Sequence, residues 1–327
     1  MSIRRLIQAA ASTVHDDDGS VRIDTDGGDG YVGAMSFVVD ASARARVLVS
    51  GPDGPAFLHR LTTQHVKDLV VGDARLAVLT TDKGRVVDVV HHVVLEEGIL
   101  LVGAKLDTEA LTAWLDRYFF TEQLTLAAIG SNAVVVDLAT AEGLVPGASA
   151  LLPWAATRSG GTVAVRTFDR VDATGAAVPA AILVAIDDSA LPAVDTAVDV
   201  DIVAAVAAGV PVAEISDAHT PLDLELHDAI HWAKGCYIGQ EVIARLDTYG
   251  KQRKRLMSVV GDGVAVGDAI VVDGAVVGAV TSAVPGAALA MVKLAADIDE
   301  NAAVVRTGGG EKQAVLRRRH AAQRPHE

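Results

Sequence analysis

The sequence predicts an α+β protein that ends in a small all-β domain. Between residues 36 and 138, apolar stretches of strand length alternate with segments of helical spacing. After residue 256, short valine-rich stretches are separated by Asp-Gly, Pro-Gly and Gly-Gly turns, which are typical of hairpins in a barrel or sandwich. Half of the 327 residues are hydrophobic but only 4% are aromatic. Valine and alanine are therefore expected to fill the core that a chain of this length can bury.

The first half is predicted to form β-hairpins interrupted by two helices. One helix opens at Gly51-Pro-Asp-Gly-Pro55, is capped by Ser50 or Asp53, and places Phe57 and Leu61 on one face. A hairpin turns at Asp82-Lys-Gly84. In order, the predicted elements are strands at 36–39 and 46–49, this helix, strands at 74–80, 85–95 and 99–102, a helix at 108–120, and strands at 123–129 and 133–138.

The second half continues this pattern and then changes to strands alone. Strands are predicted at 158–165 and 181–186, followed by a helix at 190–208 that Gly209-Val-Pro211 ends. The barrel strands are predicted at 256–260, 269–272, 275–284, 289–294 and 302–306. Three regions result: a flexible acidic lead-in at 1–30, an α+β region at 31–250, and a β-barrel domain with a basic tail at 251–327.

Charge and cysteine usage narrow the classes of function. With a net charge of −14, the protein lacks the overall positive charge that favours binding to nucleic acid or to an anionic membrane. No targeting segment and no apolar run of about 18–20 residues is evident, so a cytoplasmic protein is expected. The single cysteine excludes an intramolecular disulfide, and by itself it cannot hold an iron–sulfur cluster or a cysteine-based zinc site.

That cysteine, Cys236, lies in the stretch that most needs a functional explanation. Gly235 and Gly239 remove side chains around it and permit close approach, and Lys234 would favour the reactive thiolate. A basic run, Lys251 to Arg255, follows within a few residues. The alternative is a small buried cysteine beside a solvated basic face, but the clustering favours the functional interpretation.

The histidines are less specific. His91 and His92 are adjacent in a predicted strand, so their rings point to opposite faces, and one surface and one core histidine are expected. His219, His227 and His231 show no compact ligand spacing, which favours loop histidines over a metal site. No metal site is predicted.

The run Lys234-Gly-Cys-Tyr-Ile-Gly-Gln-Glu241, followed by Arg245, resembles the signature of the YgfZ family. This family comprises folate-binding relatives of the glycine-cleavage T-protein that support iron–sulfur enzymes. Further similar stretches begin at Phe57, Ala77, Ala207 and Val276, so the resemblance covers residues 37 to 306 in order. It implies three domains in a ring around a folate channel, the middle one ferredoxin-like and the last one the barrel, with two interleaved subdomains in residues 31–250.

The resemblance also implies a function and its residues. It implies a tetrahydrofolate-binding accessory protein for iron–sulfur client enzymes, acting as a monomer without direct contact to nucleic acid or membrane; no reaction is settled. Cys236 would be the functional thiol, with Lys234 tuning it. The ligand and motif residues would be Asp88, Gly235, Tyr237, Gly239, Gln240, Glu241, Arg245 and Arg255.

Two alternatives remain open. One is a folate-dependent aminomethyltransferase or demethylase in which Asp88 is the general base. Against it, Asp88 is followed by Val89 where T-proteins have a second aspartate, and Ala207 replaces the T-protein glutamate that grips the pterin. The other alternative is a folded scaffold with no ligand.

Overall fold

The structure, a computed structural model, describes most of the chain from residue 38 onward. The described residues are 13–15, 21–23, 38–130, 132–168, 170–171, 177–187, 191, 211, 213–261, 263–284, 287–294, 304–307 and 310–318. Most of the acidic lead-in, the predicted helix at 190–208 and Ala207 therefore lie outside the described residues. None of the helices in these ranges has both the length and the apolar character that a membrane crossing requires.

The described elements are, in chain order, β1 Thr13–His15, β2 Val21–Ile23, β3 Val38–Asp40, β4 Arg46–Ser50, α1 Gly54–Leu61, β5 Ala74–Thr80, β6 Val86–Leu95, β7 Gly98–Gly103, α2 Thr108–Asp116, β8 Thr125–Ala128, β9 Ala133–Asp137, α3 Leu138–Leu144, β10 Ala156–Ser159, β11 Thr162–Arg166, β12 Arg170–Val171, β13 Ala177–Val178, β14 Ala180–Ala185, α4 Gln240–Thr248, β15 Lys254–Val260, β16 Ala269–Val272, β17 Ala275–Val284, β18 Ala287–Lys293, β19 Val304–Thr307, β20 Gly310–Gln313 and β21 Val315–Arg318. Short 3₁₀ turns lie at Ala148–Ala150 and His227–Ala229.

Three antiparallel sheets organise the chain. The central sheet has the order β5-β6-β7-β4-β8, and the second sheet has the order β10-β11-β14-β9-β3. The barrel sheet runs β20-β19-β16-β17-β18-β15-β21. Its two outer strands, β20 and β21, are separated in the chain only by Ala314. Because one nearly continuous strand pairs with both edges, the sheet curls back on itself, as the Asp-Gly hairpins predicted.

The central sheet packs on both of its faces. One face buries Phe57 and Leu58 of α1 and Leu111 and Trp114 of α2. The other face shares one apolar cluster with the second sheet and another with the barrel, the latter joining Leu76 to Leu256 and Leu289. Residues 213–230 contribute to that second cluster. The motif region therefore lies beside the junction of the central sheet and the barrel.

Most strand predictions are confirmed, with differences at several element ends, and the sequence patterns did not predict β20 and β21. The strand at 74–80 has the predicted bounds, and the barrel strands agree to within a few residues. The helix at 108–120 ends at Asp116, and the predicted strand at 158–165 is a hairpin that turns at Gly160. Asp53 does not cap α1 with its side chain; its carboxylate accepts the Gln123 N–H at 2.7 Å instead.

Two helices and two histidine environments differ from expectation. The sequence patterns did not predict α3, which Asp137 caps by accepting the Thr140 N–H at 2.9 Å, or α4, which begins inside the motif. Both His91 and His92 are buried, so the prediction of one surface histidine in that pair is wrong. The side of the central sheet that was expected to face solvent is covered by a neighbouring sheet.

Candidate functional site

The motif loop is anchored at Lys234. Its ammonium donates to three backbone carbonyls, those of His59, Thr62 and Gln64, at 2.6, 2.6 and 2.9 Å. These carbonyls lie at and just after the end of α1, where carbonyl groups lack helical partners and the helix dipole favours a cation. Burial lowers the pKa of Lys234 to about 7. All three N–H groups are donated to carbonyls, so Lys234 anchors the loop that carries Cys236.

Tyr237 and Ile238 continue the anchor into the core. The Tyr237 ring lies under the Lys234 ammonium, 5.0 Å from its centroid, and burial raises the pKa of the phenol to about 12. Ile238 donates its N–H to the Arg60 carbonyl at 3.1 Å and accepts the Thr80 hydroxyl at 2.6 Å. Both motif residues hold the loop against α1 and the hairpin of the central sheet.

Gly239 allows the motif to turn sharply into α4. It is the N-cap residue, with a left-handed φ of 81°. A Cβ atom there would lie 2.6 Å from the Thr81 carbonyl oxygen and 2.8 Å from the Gly84 Cα atom. The start of α4 therefore packs directly on the β5–β6 turn, and the glycine is required for both conformation and space.

Gly235 and Cys236 are the exposed part of this anchored loop. Both residues are exposed, and no atom lies within 4 Å of a Cβ built on Gly235. The alternative of a buried structural cysteine is therefore wrong. The thiol is accessible to a partner, and Lys234, Tyr237 and Gly239 hold its loop.

Asp88 has a structural role in this conformation. It is fully buried on β6, and its carboxylate accepts N–H groups from Val89, Ala104, Lys105 and Leu106 at 2.7–3.2 Å. Burial raises its pKa to about 6, against the opposing effect of these N–H donors. In this conformation the carboxylate fixes the turn after β7.

Replacing Asp88 with asparagine is expected to lower the free energy of unfolding by about 2 kcal/mol, because an amide nitrogen cannot accept the backbone N–H groups that the lost oxygen holds. Urea unfolding followed by tryptophan fluorescence measures the change. Asp82→Asn, in the exposed turn of the same hairpin, is the matched control and should stay within about 0.5 kcal/mol of wild type. Equal stability of Asp88→Asn and wild type would contradict the structural role.

Arg255 is likewise committed to the protein. Its Nε lies 2.6 Å from Oε1 of Glu225, a buried residue with a positive φ of 56°. Burial raises the pKa of Glu225, but His227 and Arg255 outweigh it, so the net pKa is lowered. Arg255 therefore neutralises a buried carboxylate at the start of the barrel.

The other two predicted charged residues of the motif line a cleft. Glu241 and Arg245 lie on one face of α4, and the space beside them has a volume of about 610 Å³. Its walls also include the turn before β6, residues 218–223 and the segment between α4 and β15. The charged lining residues are Arg85, Asp223, Glu241, Arg245, Lys251, Arg253 and Lys254. Five basic side chains against two acidic ones give this cleft a positive charge in an acidic protein.

Several of these charges lack protein partners. Lys254 donates to the Ala218 carbonyl at 2.8 Å and lies 2.9 Å from Nδ1 of His219, and Arg85 also donates to the Ala218 carbonyl. By contrast, the side chains of Arg245 and Arg253 make no hydrogen bond or ion pair with any residue in the described ranges. Unpaired guanidinium groups in a cleft can bind an anionic ligand by charge-assisted hydrogen bonds.

The sequence patterns identified the basic run but not all of the charged residues that line the cleft with it. Gln240 starts α4, as part of the motif, and Arg253 and Lys254 belong to the run at 251–255. Arg85 and Asp223 were missed, because no local signal brings residues so far apart in the chain to one cleft. Among the described residues, no group of three metal-binding side chains is arranged to hold an ion.

The comparisons with known proteins agree with this architecture. Residues 32–142 match the GCVT N-terminal domain, and residues 253–321 match the CAF17 C-terminal β-barrel domain. A crystal structure of glycine cleavage system aminomethyltransferase T from Bartonella henselae superposes with a TM-score of 0.69 at 19% identity, covering 88% of this chain and 86% of that one. The prediction of a T-protein-like α+β fold with a small C-terminal barrel is confirmed.

A curated relative is also similar to this chain. A chloroplastic transferase-like protein of Arabidopsis thaliana is 28% identical over 265 residues, which are 75% of this chain and 61% of that protein. The match thus spans less than two thirds of the relative. The chain therefore joins a GCVT N-terminal domain to a CAF17-type C-terminal barrel, on a fold similar to that of aminomethyltransferase T.

Proposed function

We propose that this chain is a tetrahydrofolate-binding accessory protein that supports the assembly or repair of iron–sulfur clusters in client enzymes. The observation that carries the proposal is the basic cleft beside the motif helix α4. Its volume of about 610 Å³ lies in the usual range of small-molecule sites, roughly 300–1,000 Å³. Its unpaired arginines, Arg245 and Arg253, suit the carboxylates of a folate.

Cys236 is the residue that supports the iron–sulfur part of the proposal. Iron–sulfur clusters are held by cysteine thiolates, and one cysteine is too few to hold a cluster alone. An exposed thiol on an anchored loop, beside the bare backbone of Gly235, suits a contact made jointly with ligands of a client protein. In this proposal the cluster is cargo, and this chain binds the cluster together with the client protein and positions it.

Two measurements test the proposal. Calorimetric titration of tetrahydrofolate at two salt concentrations should show binding that weakens with salt and that Cys236→Ala leaves intact. In cells that lack the protein, wild type should restore the activity and cluster content of iron–sulfur enzymes, whereas Cys236→Ala should not. Absence of binding at millimolar tetrahydrofolate would contradict the folate role, and full rescue by Cys236→Ala would contradict the role of the thiol.

A folate-dependent aminomethyltransferase or demethylase is the second candidate, and the Arabidopsis relative is named a putative transferase, without a stated substrate. It requires a base near the transferred carbon, and the expected base, Asp88, is buried and bound to four N–H groups. Incubation of pure protein with tetrahydrofolate and an aminomethyl donor decides between the candidates. Multiple turnovers would establish the transferase, and binding without turnover supports the accessory protein.

A further inference from the structure

A second groove lies between the central sheet and the second sheet. Its volume is about 390 Å³, and no described residue lines both this groove and the cleft beside α4. One wall is the edge strand β10, and the other is formed by the end of β6 with the turns before β5 and after β6. Apolar residues line both walls: Val71, Val93, Leu95, Ala156 and Val163. The groove is therefore separate from the candidate site.

The β10 wall carries unpaired backbone groups. Among the described strands, β10 pairs only with β11. Arg166 donates its N–H to the Ala155 carbonyl at 2.8 Å, and in an antiparallel ladder such bonded pairs alternate along the strand. Every second residue from Ala155 therefore bonds to β11, and the N–H and C=O groups of Ala156 and Arg158 point away from it. None of these four groups bonds to a residue in the described ranges.

The opposite wall presents apolar side chains on a fixed turn. Asp73 accepts the Val70 N–H on its carboxylate at 3.1 Å, and its own N–H donates to the Val70 carbonyl at 2.9 Å. Gly72 donates to the Val94 carbonyl at 3.0 Å, which ties the turn to β6. Val70 and Val71 are nevertheless 66% and 59% exposed. Exposed apolar side chains that continue an apolar groove indicate an interaction surface.

Charge selects the kind of partner. Arg158 donates to both Glu97 oxygens at 2.8 and 3.0 Å, so this pair is neutral and joins the two walls. Glu96 also lines the groove, is exposed, and makes no hydrogen bond or ion pair with any part of the chain that the structure describes. The groove thus has a free negative charge in a chain of net charge −14. A second copy of this acidic chain would be repelled, whereas a basic segment would be attracted.

We propose that this groove binds an extended, apolar segment of a partner protein that carries a lysine or arginine. The segment adds to the edge of β10 as a further strand of the second sheet, and its backbone pairs with the free groups of Ala156 and Arg158. Its apolar side chains, which alternate along a strand, contact Val71 and the buried apolar wall. Its cation lies beside Glu96. This role does not depend on the proposed function.

A short synthetic peptide tests the strand addition. The probe is acetyl-Lys-Val-Thr-Val-Lys-amide, whose two valines lie on one side of an extended chain and whose lysines place a cation near Glu96 in either direction. Calorimetric titration is expected to give a dissociation constant below about 1 mM. The same peptide with a methyl group on every backbone nitrogen keeps the side chains but cannot donate to β10. It should bind at least about tenfold more weakly.

Matched valine variants test the place of binding. Val71→Ser removes apolar surface from the rim of the groove and is expected to weaken peptide binding about threefold to tenfold. Val266→Ser, at a barrel valine of similar exposure (66%), should bind the peptide as wild type does. Glu96→Gln should weaken binding of the lysine peptide about threefold and leave unchanged the binding of a peptide with threonines in place of the lysines.

Three results would overturn the proposal: unchanged binding in Val71→Ser, equal affinity for the N-methylated peptide, or no binding of the probe at millimolar concentration. Sedimentation of the protein without peptide tests the other occupant, and a monomer at all concentrations is expected. A concentration-dependent dimer that Val71→Ser dissociates would show that a second copy covers this groove, and it would also overturn the proposal. Each of these results leaves the proposed function intact.

Discussion

Replacing Gly239 with alanine is expected to lower the free energy of unfolding by about 3 kcal/mol. The left-handed φ of 81° costs roughly 1–2 kcal/mol for a residue with a Cβ atom. The new methyl group would also lie 2.6 Å from the Thr81 carbonyl oxygen, so the start of α4 must move away from the β5–β6 turn. Urea unfolding followed by tryptophan fluorescence measures the loss, and Trp232 packs beside this helix.

Gly235→Ala is the matched control four residues earlier in the motif. A Cβ atom there meets nothing within 4 Å, so the stability should stay within about 0.5 kcal/mol of wild type. Any loss of function in Gly235→Ala would then report a close approach by a ligand or partner. A Gly239→Ala protein as stable as wild type would show that α4 does not pack on the hairpin as described.

Acid is expected to destabilise the protein through His92. This imidazole is fully buried, and neither ring nitrogen has the geometry of a hydrogen bond to a described residue. Burial, with smaller contributions from Lys234 and His91, lowers its pKa from 6.5 to about 3, and the Arg75 backbone opposes this weakly. Between these two pKa values the unfolded chain binds the proton and the folded chain does not, so stability falls as the pH falls.

The size of the effect follows from the shift. Each pKa unit corresponds to about 1.4 kcal/mol, so lowering the pH from 6.5 to 4 should remove about 3 kcal/mol through this group. His92→Leu should reduce the acid loss by that amount while keeping stability at pH 7 equal or higher, because an unsatisfied buried polar group is removed. His231→Gln, at an exposed histidine, should retain most of the loss. Parallel acid profiles of His92→Leu and wild type would refute this account.

Local patterns were sufficient for much of the fold. The hairpin around Asp82-Lys-Gly84 and the barrel strands were predicted because strand alternation and Asp-Gly turns depend on neighbouring residues alone. Helix α4 was missed because its N-cap is a glycine, which has no side chain to cap the helix and so gives no local start signal. Helix α3 is seven residues long, too short for a clear apolar period.

The candidate site residues were named from the motif, and the structure adds their contacts. The structure shows that Cys236 is exposed and that Glu241 and Arg245 line the basic cleft. Lys234 and Arg255, which the motif marked as site residues, both contact groups of the protein itself. A charged residue in a motif can either bind a ligand or bind groups of the protein itself, and only its contacts in the structure distinguish the two roles.

The sequence by itself determined the α+β class with its terminal barrel, the basic and glycine-spaced thiol motif, and the resemblance that this motif carries. These properties depend on residue type and spacing along the chain. The tertiary structure decided which charged groups are free, because hydrogen-bond partners come from segments that packing brings together. Lys234 donates to carbonyls more than 160 residues away in the chain. Arg85 donates to the carbonyl of Ala218, which lies 133 residues later in the chain. Buried groups must satisfy their hydrogen bonds wherever the fold places them, so only the packed molecule separates anchoring residues from those left for a ligand.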